Sequence, residues 1–119
     1  AVPEEKSAEK QVLKAGKADV LTLSPICLPD EAIEQFVKLG IEHNPALRIT
    51  VQEYWMPNDE YEPIYPLQTR KTVDHNATDL AKLRDATLRY AKDIEDLVRG
   101  INQRLGKDAV LIVPVGMAR

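Results

Sequence analysis

A single cysteine and only five glycines occur in this 119-residue chain. Cys27 has no partner for an internal disulfide, and with only two histidines the chain shows no Cys/His spacing of a structural zinc site. The glycines stand singly at the ends of patterned segments, so no glycine-rich loop can cradle phosphate and nucleotide binding has no support. Long apolar runs are missing too. The longest, Ala109 to Val113, stops at Pro114, far short of the roughly 20 residues that cross a bilayer, so no membrane span is expected. An excess of positive charge is also lacking: 16 Lys and Arg stand against 19 Asp and Glu, a net charge of -3. Both signs are spread along the chain, which disfavours an electrostatically driven nucleic-acid partner. The chain opens at Ala1 without methionine or a charged-then-apolar leader, as expected of a processed product or an excised piece, and the compartment is not legible.

What remains is ordinary for one globular domain spanning residues 1–119: 44% hydrophobic and 29% charged residues, enough to bury a core. Pro3, Glu4 and Glu5 suit the first turn of a short helix ending near Ala15 and Gly16, with Val12 and Leu13 as its thin apolar contact. Val20 to Leu23 reads as a buried strand. Asp30 precedes Ile33, Phe36, Val37 and Ile41, the stripe of a helix that ends near Asn44 before Pro45. Leu47, Ile49 and Val51 alternate with Arg48, Thr50 and Gln52 in a half-buried strand running to about Trp55. Met56 to Asn76 has no apolar period and reads as an unusually long loop. From Leu80, the positions Leu83, Thr87, Tyr90, Ile94, Leu97, Ile101 and Leu105 step by three or four, predicting a long helix closed by Gly106. Ala109 to Val113 reads as a strand covered on both faces, as in a parallel sheet.

The order strand, helix, strand, helix, strand predicts right-handed crossovers and three parallel strands. The long helix outruns such short strands, so Leu80, Leu83 and Tyr90 are expected to pack on the loop or on a partner rather than on the sheet. Three strands also leave two unpaired edges, which predicts self-association through an exposed strand edge or the overhanging helix.

The runs KADVLTLSPICLPDEAIEQFVKLG, NPALRITVQEYWMPNDEY and INQRLGKDAVLIVPVGMA resemble the middle of bacterial SGNH (GDSL-type) hydrolase-like proteins, from about Lys17 to Ala118. The resemblance implies a three-layer, flavodoxin-like α/β fold, with the three strands here being the family's third, fourth and fifth. It also implies a parent of ester or carbohydrate-ester hydrolase lineage, bacterial and compatible with an extracytoplasmic setting. The family's Gly-Asp-Ser block, with its nucleophile, and its Asp-x-x-His block do not occur in this chain. Where the family has Gly-x-Asn-Asp after its third strand, this chain has Leu23-Ser24-Pro25-Ile26. Asn58-Asp59 falls one strand too late to stand in. No catalytic residue transfers, and the chain reads as a central segment that is inactive by itself.

In a parallel sheet, ligands gather beyond the carboxyl ends of the strands, which places Ser24 to Cys27, Glu53 to Asn58 and Pro114 to Gly116 on one rim. Ser24, Glu53, Trp55, Asn58 and Tyr61 are the candidate binding residues there. The long loop carries Tyr54, Trp55, Tyr61 and Tyr65 beside Glu53, Asp59, Glu60 and Glu62. An alternative reading therefore makes segment 54–66 a non-catalytic binder of a glycan or a protein, while the plainer reading uses these rings to anchor the loop. A triad from Ser24, His75 and Asp59 or Asp74 lacks the glycine-flanked elbow that exposes a nucleophile, and His75 reads as a surface or capping residue. His43 suits the negative end of its helix. Cys27 between Ile26 and Leu28 reads as a buried structural thiol. The acidic loop lacks the spacing of an EF-hand, and Asn76-Ala77-Thr78 reads as a helix cap rather than a glycosylation site. No cofactor or metal is expected.

Overall fold

Ser7 begins the first helix: its hydroxyl accepts from the Lys10 amide at 3.4 Å and donates to Glu9 at 3.0 Å. The computed structural model describes residues 6–25, 28, 30–54, 75–77 and 79–117, and this helix, α1 (Ala8–Lys14), is the first element in them. Leu13 is its buried residue and Val12 is half exposed, the thin contact its composition predicts. After it come β1 (Val20–Leu23), α2 (Glu31–His43) and β2 (Arg48–Gln52). A 3-10 turn (His75–Ala77), α3 (Leu80–Leu105), β3 (Val110–Val113) and a second 3-10 turn (Val115–Met117) complete the order.

Asp30 starts α2 by accepting from the Ala32 amide at 3.1 Å, satisfying one of the donors a helix start leaves open. Asp79 does the same for α3, accepting from Ala81 and Lys82 at 3.0 and 3.2 Å. The cap of α3 is thus Asp79, not Asn76 or Thr78: its carboxylate stands one residue before the first helical turn, where the unpaired amides point. At the far end of α2, His43 Nδ1 lies 3.0 Å from the Leu39 carbonyl, at the carbonyl-rich end its position suggests.

The sheet has the order β1-β2-β3 and both pairs are parallel. Thr22 lies beside Thr50, and Thr50 beside Leu111. Because side chains alternate along a strand, this register sorts the sheet into two faces. Leu21, Leu23, Ile49, Val51, Val110 and Ile112 turn to the helices, where they join Val37 of α2 and Ile94, Val98 and Ile101 of α3 in one core. α1 lies against α2 on the same side: a Cβ added to Gly40 of α2 would meet side-chain atoms of Leu47, Leu13 and Leu21.

The opposite face is bare among the described residues. Leu111 and Val20 are 63% and 59% exposed there, beside Thr22 and Thr50, whose hydroxyls bond at 3.0 Å. Three expectations are corrected here. β1 is not a buried strand: Val20 and Thr22 face out exposed, and Leu21 and Leu23 are only half-buried, because its second face has no described cover. β3 is covered on one face only, because its unbroken apolar run does not stop Leu111 and Val113 from pointing away from every described helix. The described residues also form two layers, not three, since all three helices pack on one side.

The second strand is shorter than its alternation suggests and ends at Gln52. Tyr90 departs from expectation as well. It is 1% exposed and its hydroxyl donates to the Pro25 carbonyl at 3.3 Å, so it joins the core rather than an overhang. Leu80 does project from the body, at 75% exposure.

Candidate functional site at the carboxyl rim

The alternation that buries Ile49 and Val51 continues one step past β2, which turns Glu53 inward. It is 3% exposed. Its amide donates to the Val113 carbonyl at 2.8 Å, and its carbonyl accepts from the Gly116 amide at 2.7 Å. The end of β2 is thereby fastened to the segment that follows β3, and Glu53 meets Pro114 to Gly116 on one rim as the parallel topology requires. Pro25, at the end of β1, is held to α3 through Tyr90. Ser24 is exposed on the same end of the sheet. Of the other candidates, Trp55, Asn58 and Tyr61 lie outside the described residues, as do Cys27, Asp59, Asp74 and the rest of the aromatic, acidic loop. Of segment 54–66, only Tyr54 is described, and it is half-buried.

The acidic neighbour of the Glu53 carboxyl is Glu95, a surface residue of α3. Burial first, and then the Glu95 carboxyl with its like charge, push the Glu53 carboxyl above the ordinary glutamate range. A buried carboxylate loses its hydration and a second carboxylate opposes it, so both effects favour the protonated form. Sequence reasoning missed Glu95. Its only signal was a place next to Ile94 on the buried stripe of α3, at the level where β2 ends.

Glu53 and Glu95 sit at one end of a groove between α3 and β3, lined also by Arg99, Asn102, Lys107 and Pro114. Asn102 has a particular role in it. The Glu53–Val113 bond shows that Val113, and so Leu111, turn their backbone groups to β2, which leaves those of Val110 and Ile112 on the open edge. Asn102 takes the pair at Val110: its Nδ2 donates to the Val110 carbonyl at 3.0 Å and its Oδ1 accepts from the Val110 amide at 2.9 Å. The side-chain amide thus imitates a neighbouring strand, and Pro114 directly after β3 offers no N–H. β3 is a blunted edge. On the other side of the sheet, the Arg48 amide donates to the Asp19 carbonyl at 3.1 Å, so by the same alternation Val20 and Thr22 turn their backbone groups outward. No described residue covers them.

Among the described residues, no group of three His, Cys, Asp or Glu side chains comes together to hold a metal ion. No helix among them is long and apolar enough to cross a membrane. Comparison of the chain with protein-family models, with curated proteins and with solved structures finds no match.

Proposed function

We propose that the chain is the central α/β segment of an SGNH-hydrolase-like protein, with a fold of flavodoxin-like ancestry, and that it does not turn over esters by itself. The observation that carries the reading is the order of its strands: three parallel strands in sequence order, with Ser24, Glu53 and Pro114 at their carboxyl ends. That is the arrangement the resemblance from Lys17 to Ala118 implies. Hydrolysis in that family uses a serine nucleophile and a histidine base from Gly-Asp-Ser and Asp-x-x-His blocks, neither of which this sequence contains. In this reading the rim contributes binding surface for an acyl or carbohydrate ester, with Glu53 buried and Ser24 exposed beside it.

The test is hydrolysis of p-nitrophenyl acetate by the purified chain, compared with a Ser24→Ala variant. Equal rates for both, at the buffer level, are expected. Turnover that Ser24→Ala abolishes would overturn the reading. The two edges differ, and this supports a second proposal, that copies of the chain associate through the outer edge of β1. Its hydrogen-bonding groups at Val20 and Thr22 face outward, whereas Asn102 and Pro114 blunt the edge of β3.

A further inference from the structure

Asn76-Ala77-Thr78 is the one Asn-x-Ser/Thr tripeptide in the sequence, and the fold removes the structural reason for it. A residue capping α3 from this segment would have to serve the amides of Ala81 and Lys82, the two that an N-cap side chain reaches. Both already donate to the Asp79 carboxylate, at 3.0 and 3.2 Å. The cap therefore needs neither Asn76 nor Thr78.

The other described asparagines show what a structural asparagine does in this fold. Asn44 is half-buried; its Nδ2 donates to the Ala18 carbonyl at 2.9 Å and its Oδ1 accepts from the Ala46 amide at 3.1 Å. Asn102 is half-buried as well and holds both backbone groups of Val110. Neither has Ser or Thr two residues on. Asn76 differs in every respect: it is exposed, it lies in the 3-10 turn His75–Ala77, and Thr78 follows at the required spacing. Ala77, Asp79, Leu80, Ala81 and Lys82 are exposed with it. The 75% exposure of Leu80 means that this end of α3 stands clear of the body, with room for a bulky group.

We propose that Asn76 is an N-linked glycosylation site. A glycosyl acceptor of this kind is a surface asparagine with any residue but proline next and a hydroxyl residue after that. Ala77 and Thr78 meet both conditions, and Asp74 two residues earlier extends the match to the acidic form, Asp-x-Asn-x-Thr, that bacterial oligosaccharyltransferases select. The donor is a lipid-linked oligosaccharyl pyrophosphate. A bond forms between Asn76 Nδ2 and the anomeric carbon of the sugar while the bond from that carbon to the pyrophosphate oxygen breaks. The lipid pyrophosphate leaves with the electron pair and Nδ2 gives up one proton, so nothing is oxidised or reduced. The site is independent of the ester-hydrolase kinship, since it lies ahead of α3 and uses none of Ser24, Glu53 or Pro114.

The experiment treats the folded full chain with a purified bacterial oligosaccharyltransferase and its lipid-linked oligosaccharide, and reads intact mass and the modified peptide. A carrier protein with one established acceptor site, present in the same reaction, reports that the transferase is active. The wild type should gain the mass of one glycan, mapped to Asn76, while Asn76→Gln and Thr78→Ala should gain none. Because Asn76 is exposed, Asn76→Gln should unfold at the wild-type midpoint, so its lack of glycan reads the acceptor and not the fold. A wild-type chain left unmodified beside a glycosylated carrier, or a glycan that persists in Asn76→Gln or Thr78→Ala, would overturn the proposal.

Discussion

Gly16 and Gly106 both adopt left-handed backbone, with φ of 66° and 70°, but only one of them faces an obstacle. A Cβ on Gly16 would lie 2.9 Å from the His43 carbonyl oxygen, whereas nothing lies within 4 Å of one on Gly106. We therefore expect Gly106→Ala to cost about 1 kcal/mol, the strain of a helix cap alone. Gly16→Ala should cost more, because a backbone carbonyl at the end of α2 must also move. Urea unfolding of the two variants reads the difference, and equal losses would mean that α1 is not seated against α2. Asn102→Ala should destabilise by about 1–3 kcal/mol, since the Val110 amide and carbonyl lose their partners beside a buried side chain. Of these residues the sequence exposed some and hid others. Glu53 could have been recognised as buried, because it continues the alternation of Ile49 and Val51. Asn102 could not, because its partner is a strand edge whose direction appears only once β3 is paired.

At the scale of elements, α3 packs through one face. Tyr90, Ile94 and Ile101 are among the largest fully buried side chains, spaced as a helix stripe requires. Ile94→Ala should cost roughly 2–5 kcal/mol through lost transfer energy and the cavity left behind. Leu80→Ala, at 75% exposure, should fall within about 0.5 kcal/mol of the wild type. Calorimetry on the pair tests where the sheet stops supporting the helix. The two helices are also joined across their surfaces by Arg104, which grips Glu34 with two bonds of 2.7 and 2.9 Å. That hydrogen bond to Arg104 holds the Glu34 carboxyl below its ordinary range, so its contribution is present above the unfolded glutamate value and fades as pH falls. The apolar stripe made α3 legible in the sequence, including its stop at Gly106. Periodicity says which side of a helix is buried but not where along its length the sheet begins, so it treats Leu80 and Tyr90 alike although Leu80 projects and Tyr90 is buried.

The described residues of the whole molecule form a parallel sheet with helices on one face. Parallel sheets are seldom left bare, and only the β2 part of the open face was readable: Arg48, Thr50 and Gln52 alternate outward, whereas β1 read as buried although Val20 and Thr22 face out. β3 concealed its part as well, because an unbroken apolar strand gives no sign of which residues face out, and Leu111 and Val113 stand in water beside those polar neighbours. Association through β1 predicts that Val20→Lys, a charge at the first exposed position of the open edge, yields a smaller species than the wild type in light scattering at matched concentration. A wild type that stays monomeric at high concentration, or association untouched by Val20→Lys, would count against that edge.

The parallel sense of the three strands underlies both the rim and the blunted edge, and cross-strand nuclear Overhauser effects measure it directly. Contacts should link Leu21 to Ile49 and Ile49 to Val110, with Leu23, Val51 and Ile112 following in the same direction. A pattern in which either neighbouring pair runs in opposite senses would contradict the shared rim and everything built on it.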